Sequence, residues 1–306
     1  FGKMSRLKNA DIDVKAFAKR RDVLKSLEGV QAWLVGKLKS DEYQKQGITY
    51  SSNQKYLNPS SLATLLASTI QFNEEVYGRF SHSPRCREQV KIPSARFQDF
   101  SNGGAVCWIM MCLFIKKKSF AWTAIDFSLR QQSRQYYAQY RELLRFMFDQ
   151  LKAKGLLQLP VVFLSEGFRS KNSLEECDRL SSIIRNKGGK IASKEEEATH
   201  ILEHDDTKKE GEEDEEDTDW LRTVAIAKDK ALVHWWFYPD SYDTWLSVSE
   251  INGEVSTDVR EEGAKRVVTA RFVTDTETFN EWMNELDYEP ESLTSSSSSS
   301  SSSHKL

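Results

Sequence analysis

Between Glu203 and Asp219, eleven of the seventeen residues are acidic and two are lysine. No folded core can bury such a run, because each unpaired carboxylate would lose its hydration without compensation. The tract is therefore a solvated spacer, and the globular parts of the chain must lie on either side of it. At 306 residues there is room for two or three domains, and a hydrophobic share of 39% with 29% charged residues fits a globular protein with polar inserts. The net charge of −3 conceals an asymmetry. Residues 1–154 carry 26 Lys and Arg against 13 Asp and Glu, whereas the remainder carries 17 against 33. A basic first half invites a nucleic-acid reading, which the acidic tract prevents from extending along the whole chain.

Ahead of the tract, the periodicity is helical. Val23, Leu24, Leu27, Val30, Leu34 and Leu38 follow one stripe. Asn58-Pro59-Ser60 opens a second helix through Leu62–Phe72, with proline in its first turn. Residues 81–100 read as irregular. A third helix follows Gly103-Gly104, and its apolar run Ala105–Ile115 is too short to span a bilayer and reads as a core helix. A fourth runs from about Ser133 to Lys152 and stops at Gly155. These elements predict a helical domain over 22–154, preceded by an extension at 1–21, and leave winged helix and plain bundle both open.

From residue 155 the pattern changes. Pro160–Ser165 reads as a buried strand, Leu174–Arg185 as an amphipathic helix closed by Gly188-Gly189, and Lys190–Ala192 and Thr199–Leu202 as further strands. That is the opening of a parallel sheet, but the acidic linker at 205–219 replaces the next helix. Beyond it, Ala231–Trp235 and Thr244–Val248 suit a small antiparallel β-module. Lys265–Val273 then reads as another strand, and Thr276–Leu286 as a helix. An α/β domain in two halves, 155–204 and 264–290, with an insert at 220–254, is the simplest account. The tail at 291–306 includes nine consecutive serines and cannot bury apolar surface. Its end, His304-Lys-Leu306, departs from a peroxisomal Ser-Lys-Leu signal at the first position.

The insert carries six aromatics within eleven positions: Trp235, Trp236, Phe237, Tyr238, Tyr242 and Trp245. Aromatics this dense either fill a very small barrel or surround a cationic ligand. The segment Val233–Trp245, the Gly188-Gly189 turn, the Thr199–Leu202 strand, Trp282 and the block Phe279–Glu285 together resemble the N-terminal region of the SMARCC family, scaffold subunits of SWI/SNF chromatin remodellers. Ile70–Glu75 and Asp99-Phe100 with Gly103-Gly104 fit as well. The resemblance covers about residues 22–290. It implies an α+β multidomain fold: a MarR-like, winged-helix-type helical domain, then a BRCT domain interrupted by a chromo-like insert, with Trp282 plugging the last helix onto the sheet. Trp236 stands where the family has glycine. The family's SWIRM, SANT and leucine-zipper segments do not follow, so the chain is read as a fragment, an incomplete gene model or a shortened form.

The resemblance implies a nuclear, non-enzymatic scaffold subunit whose partners are other SWI/SNF subunits, with nucleosomes, histones or non-specific DNA as further partners. Trp235, Tyr238 and Tyr242 fall where chromo-barrels place cage aromatics for methyl-lysine, and Trp245 where one closes the barrel. The residues themselves favour packing over a cage for this cluster. Lys116, Lys117 and Lys118 are the candidate DNA-phosphate contacts, although cations closing a helix also suit its dipole. Ser165 sits where phosphopeptide-binding BRCT domains place a hydroxyl, but the accompanying lysine has no counterpart. His200 and His204 lie on a strand and its exit, where a four-residue spacing does not build a metal site. No catalytic set, cofactor loop, small-molecule site, membrane span or metal motif is expected. The four cysteines show no disulfide or zinc spacing, which points to a reducing compartment. The alternatives are a methyl-lysine reader acting through the insert and a DNA-binding winged-helix protein.

Overall fold

The computed structural model describes Lys19 and residues 21–78, 90–204, 220–227, 230–236, 242–247, 265–283 and 285–290. The chain divides into two compact units, one of Phe1–Gln158 with Asn280–Trp282, the other of Leu159–Phe279 with Met283–Leu306. The first is helical among its described residues and the second holds all the described strands, so the fold is α+β and multidomain.

In the first unit, α1 (Arg21–Leu38) buries Val23, Leu27, Val30, Leu34 and Leu38, the stripe expected from their spacing. Two single-turn helices follow, α2 (Asp41–Gln44) and α3 (Tyr50–Asn53), the latter capped by Thr49 accepting from Ser52 N. α4 (Pro59–Tyr77) begins where Asn58 accepts from Ser61 N at 2.9 Å, with Pro59 in its first turn. α5 (Ala105–Ser119) runs through the middle, every residue from Ala105 to Phe114 except Trp108 being buried. Its start is set by Asp99, which accepts from Ala105 N at 2.7 Å. Any side chain at Gly104 would collide with that carboxylate. α6 (Arg134–Ala153) is capped by Ser133 and followed by Gly155 at φ +71, as the sequence predicts. Trp122 stacks on Tyr140 with ring centroids 4.5 Å apart, and Phe72 and Phe127 complete this aromatic centre.

In the second unit, a four-stranded parallel sheet has the order β2-β1-β3-β7: β1 (Val161–Leu164), β2 (Lys190–Ile191), β3 (His200–Leu202) and β7 (Arg266–Val268). Val162, Leu164, Leu202 and Val268 are buried, matching the continuous apolar runs of a covered sheet. α7 (Glu166–Lys171) and α8 (Leu174–Asn186) connect β1 to β2, and Gly188 at φ +81 makes the turn that a side chain would strain. α9 (Ala270–Phe279) packs on α8. The two halves expected on either side of the insert thus share one sheet, β3 pairing with β7 through Ile201 and Val267.

Three expectations are corrected here. The strand expected at 265–273 ends at Val268, and Ala270 already opens the helix. That helix ends at Phe279 rather than Leu286, because Asn280 adopts the left-handed conformation (φ 55) that asparagine tolerates at a helix C-terminus. Trp282 therefore lies outside the last helix, buried as part of the first unit, and does not plug the helix onto the sheet.

The insert forms an antiparallel sheet β4-β5-β6: β4 (Trp220–Ala227), β5 (Lys230–Trp236) and β6 (Tyr242–Ser247). β4 pairs with β5 along its length, and an irregularity between Thr223 and Ala225 breaks its register.

Candidate functional site

The lysine triplet closes α5, where cations complement the helix dipole. Its three members have different surroundings. Lys116 pairs with Glu142 at 2.6 Å and lies over the rings of Phe120 and Phe146, 4.9 and 4.8 Å from their centroids. Lys117 donates to the Ser52 carbonyl at 3.1 Å, and burial, followed by the neighbouring Lys55, lowers its pKa from the ordinary lysine value. Lys118 is exposed, with its stem against Gly47, whose φ of +73 and missing side chain leave room for it. Lys117 and Lys118 border a groove with Ile48, Asn53, Phe114 and Trp122. Lys116 is committed within the unit, whereas Lys117 and Lys118 border the groove.

In the insert, Trp235 stands directly opposite Tyr242 across β5 and β6, and Leu232 opposite Trp245. The register brings two of the three candidate cage residues together. The third, Tyr238, lies outside the described residues, as does Phe237. Trp236, at the position of the family's glycine, ends β5 opposite Trp220.

Ser165 caps α7, accepting from Phe168 N and donating to Glu203 Oε2, both at 2.9 Å. Its hydroxyl is occupied by these two bonds. His200 lies flat against Phe272 and reaches Glu285 at 3.3 Å and Thr199 at 2.8 Å, whereas His204 meets Asn172. Among the described residues no three metal-ligating side chains gather. Cys107, Cys112 and Cys177 are free and buried. No described helix is long and apolar enough to cross a membrane.

One cluster escaped the sequence reading. Lys91, buried in the first unit, pairs with Glu281 at 2.6 Å and also with Glu74. Around it, Lys91 N donates to Asn280 O at 2.9 Å, Asn280 Nδ2 to Tyr77 O at 3.0 Å, and Ser94 N to Glu281. Asn73 brackets Ile92, donating to its carbonyl and accepting from its amide. Burial by itself would lower the Lys91 pKa, but Glu281 and then Glu74 overcome it and hold the ammonium above the ordinary lysine range. The only sequence signal was a lysine between apolar residues in Val90-Lys91-Ile92; its more buried partner, Glu281, lies 190 positions away.

A comparison with protein families places this geometry: residues 6–149 match the family described as SWIRM-associated domain at the N-terminal. The match ends in α6 and so covers most of the first unit, including the lysine triplet, the groove and Lys91.

Proposed function

We propose that the chain is a non-catalytic scaffold module of a SWI/SNF-type ATP-dependent chromatin-remodelling complex, nuclear, and engaged in subunit assembly. The SWIRM-associated match over 6–149 carries this reading, since such domains occur in remodeller subunits and so imply a chromatin-associated, nuclear protein. The α+β architecture, with its interrupted parallel sheet and three-stranded insert, supports the finer reading as a MarR-like, BRCT and chromo-like module. The scaffold role is supported by polar groups spent on structure inside the units: Lys91 on Glu281 and Glu74, His200 on Glu285, Ser165 on a helix cap.

Affinity purification of the tagged full chain from nuclear extract, followed by mass spectrometry, tests it. The remodeller ATPase and its core subunits are expected at near-stoichiometric levels. Recovery of the folded chain without any remodeller subunit would overturn the proposal.

A second reading rests on one observation, the facing positions of Trp235 and Tyr242. A methyl-lysine cage needs aromatics at such facing register positions, each ring worth about 0.5–2 kcal/mol towards a quaternary ammonium. Duplex DNA binding draws less support, because Lys116 is tied to Glu142.

A further inference from the structure

From the groove beside α5 we infer a binding site for an acidic peptide segment of a partner protein, its carboxylates held by Lys117 and Lys118 and a backbone N–H received by Asn53. The site is independent of which complex the chain belongs to. Three observations converge on it. Lys117 and Lys118 border the groove with Lys55 close to Lys117, and among the described residues none of the three has a carboxylate partner. An ammonium has three donors, and the Ser52 carbonyl takes only one from Lys117. The second observation is Asn53, about 2% exposed, whose Nδ2 donates to Thr49 O and Ser52 Oγ while no donor among the described residues reaches its Oδ1. Because a carbonyl can only accept, the bond to Thr49 O fixes the amide's orientation and leaves the oxygen as the orphan. Such an acceptor calls for a donor from outside. Third, the groove is backed by Ile48, Phe114 and Trp122, side chains of the buried core that hold its floor in place.

These features discriminate between anions. A phosphodiester backbone offers acceptors but no donor, so it would satisfy the lysines and leave Asn53 Oδ1 unpaired. A peptide brings a carboxylate and an N–H within a few ångströms of one another. The geometry therefore favours an acidic peptide over duplex DNA.

The test uses the full 306-residue chain and a fluorescein-labelled dodecapeptide alternating Glu with Leu and Phe, read by fluorescence anisotropy. Comparison probes are the same peptide with Gln for Glu, a 12-base-pair duplex, and inorganic phosphate as competitor. The acidic peptide should bind, and its Gln counterpart should bind at least about tenfold more weakly, a difference of about 1.4 kcal/mol. Lys117→Gln with Lys118→Gln should weaken the acidic peptide by a similar factor. Lys25→Gln with Arg134→Gln, which removes the same charge elsewhere on the unit, should change it less than twofold. Lys118→Gln alone, at an exposed position that cannot compromise folding, should weaken it measurably. The inference is overturned by no binding, by equal loss in the two double variants, by tighter binding of the duplex, or by displacement of the peptide by millimolar phosphate.

Discussion

Replacing Glu281 with glutamine is the most informative single change to the first unit. The substitution keeps shape and an acceptor for Ser94 N but removes one of the two negative charges facing Lys91. Lys91 is 5% exposed and cannot recover its hydration, and the Glu281 side chain, at 10%, is the more buried of its two partners. Taking one partner from a buried ion pair costs about 3–5 kcal/mol; with Glu74 still in place, the lower end applies, about 3 kcal/mol. In a unit of this size each kcal/mol moves the melting temperature by about 2–4 °C, so the loss should be about 6–12 °C. Glu74→Gln is the internal control: its side chain is 39% exposed, water can replace much of its contribution, and its cost should stay below about 1 kcal/mol. Thermal unfolding by circular dichroism, together with amide exchange at Lys91 and Ile92, measures both. A Glu281→Gln protein melting within 2 °C of wild type, or a Glu74→Gln protein melting lower than it, would refute the reasoning.

Three further outcomes are expected. Because the folded-state pKa of Lys91 is raised, its contribution is complete below the unfolded value of about 10.4 and is lost as pH rises beyond it; pH-dependent melts should show the first unit flat from neutral to about pH 10 and falling above, an alkaline loss that Lys91→Met abolishes. Glu285 behaves in the opposite sense: burial by itself would raise its carboxyl, but the bond from His200 and the charges of His200 and Arg266 hold it below the usual carboxylate range. Its contribution is present above the unfolded value of about 4.3 and lost as pH falls through the lower folded one, so Glu285→Gln should flatten the acid limb of the second unit's stability curve. Tyr242→Ala separates the two readings of the insert: a packing role costs about 3–5 kcal/mol in thermal unfolding, whereas a cage role leaves stability intact and removes affinity for a trimethyl-lysine histone peptide by isothermal titration.

The sequence was legible where local chemistry decides the structure. Asn58 and Ser133 cap their helices, Gly155 follows the last long helix of the first unit, and Gly188 turns the chain into β2, each position being dictated by a side chain or a φ that acts within a few residues. The β1–β3–β7 pairing could be anticipated because Val161–Leu164 and Val267-Val268 are apolar runs that need cover on both faces. Boundaries were harder. Val267, Val268, Phe272 and Val273 fit a strand as well as a helix, and only tertiary pairing ends β7 at Val268. The single-turn helices α2 and α3 are too short to show a period. The membership of Asn280–Trp282 in the first unit was invisible, because it depends on Lys91, Tyr77 and Ser94, far away in sequence. The same holds for the groove, since Asn53 and Lys117 meet only once α3 lies beside α5.

Sedimentation of nuclear extract through a glycerol gradient, probed for this chain and for remodelling ATPase activity, tests the scaffold reading most directly. The 35.3 kDa chain is expected to migrate in the megadalton fractions together with the ATPase and to leave them only when the complex is dissociated. Migration at the chain's own mass, with the ATPase sedimenting without it, would contradict the account.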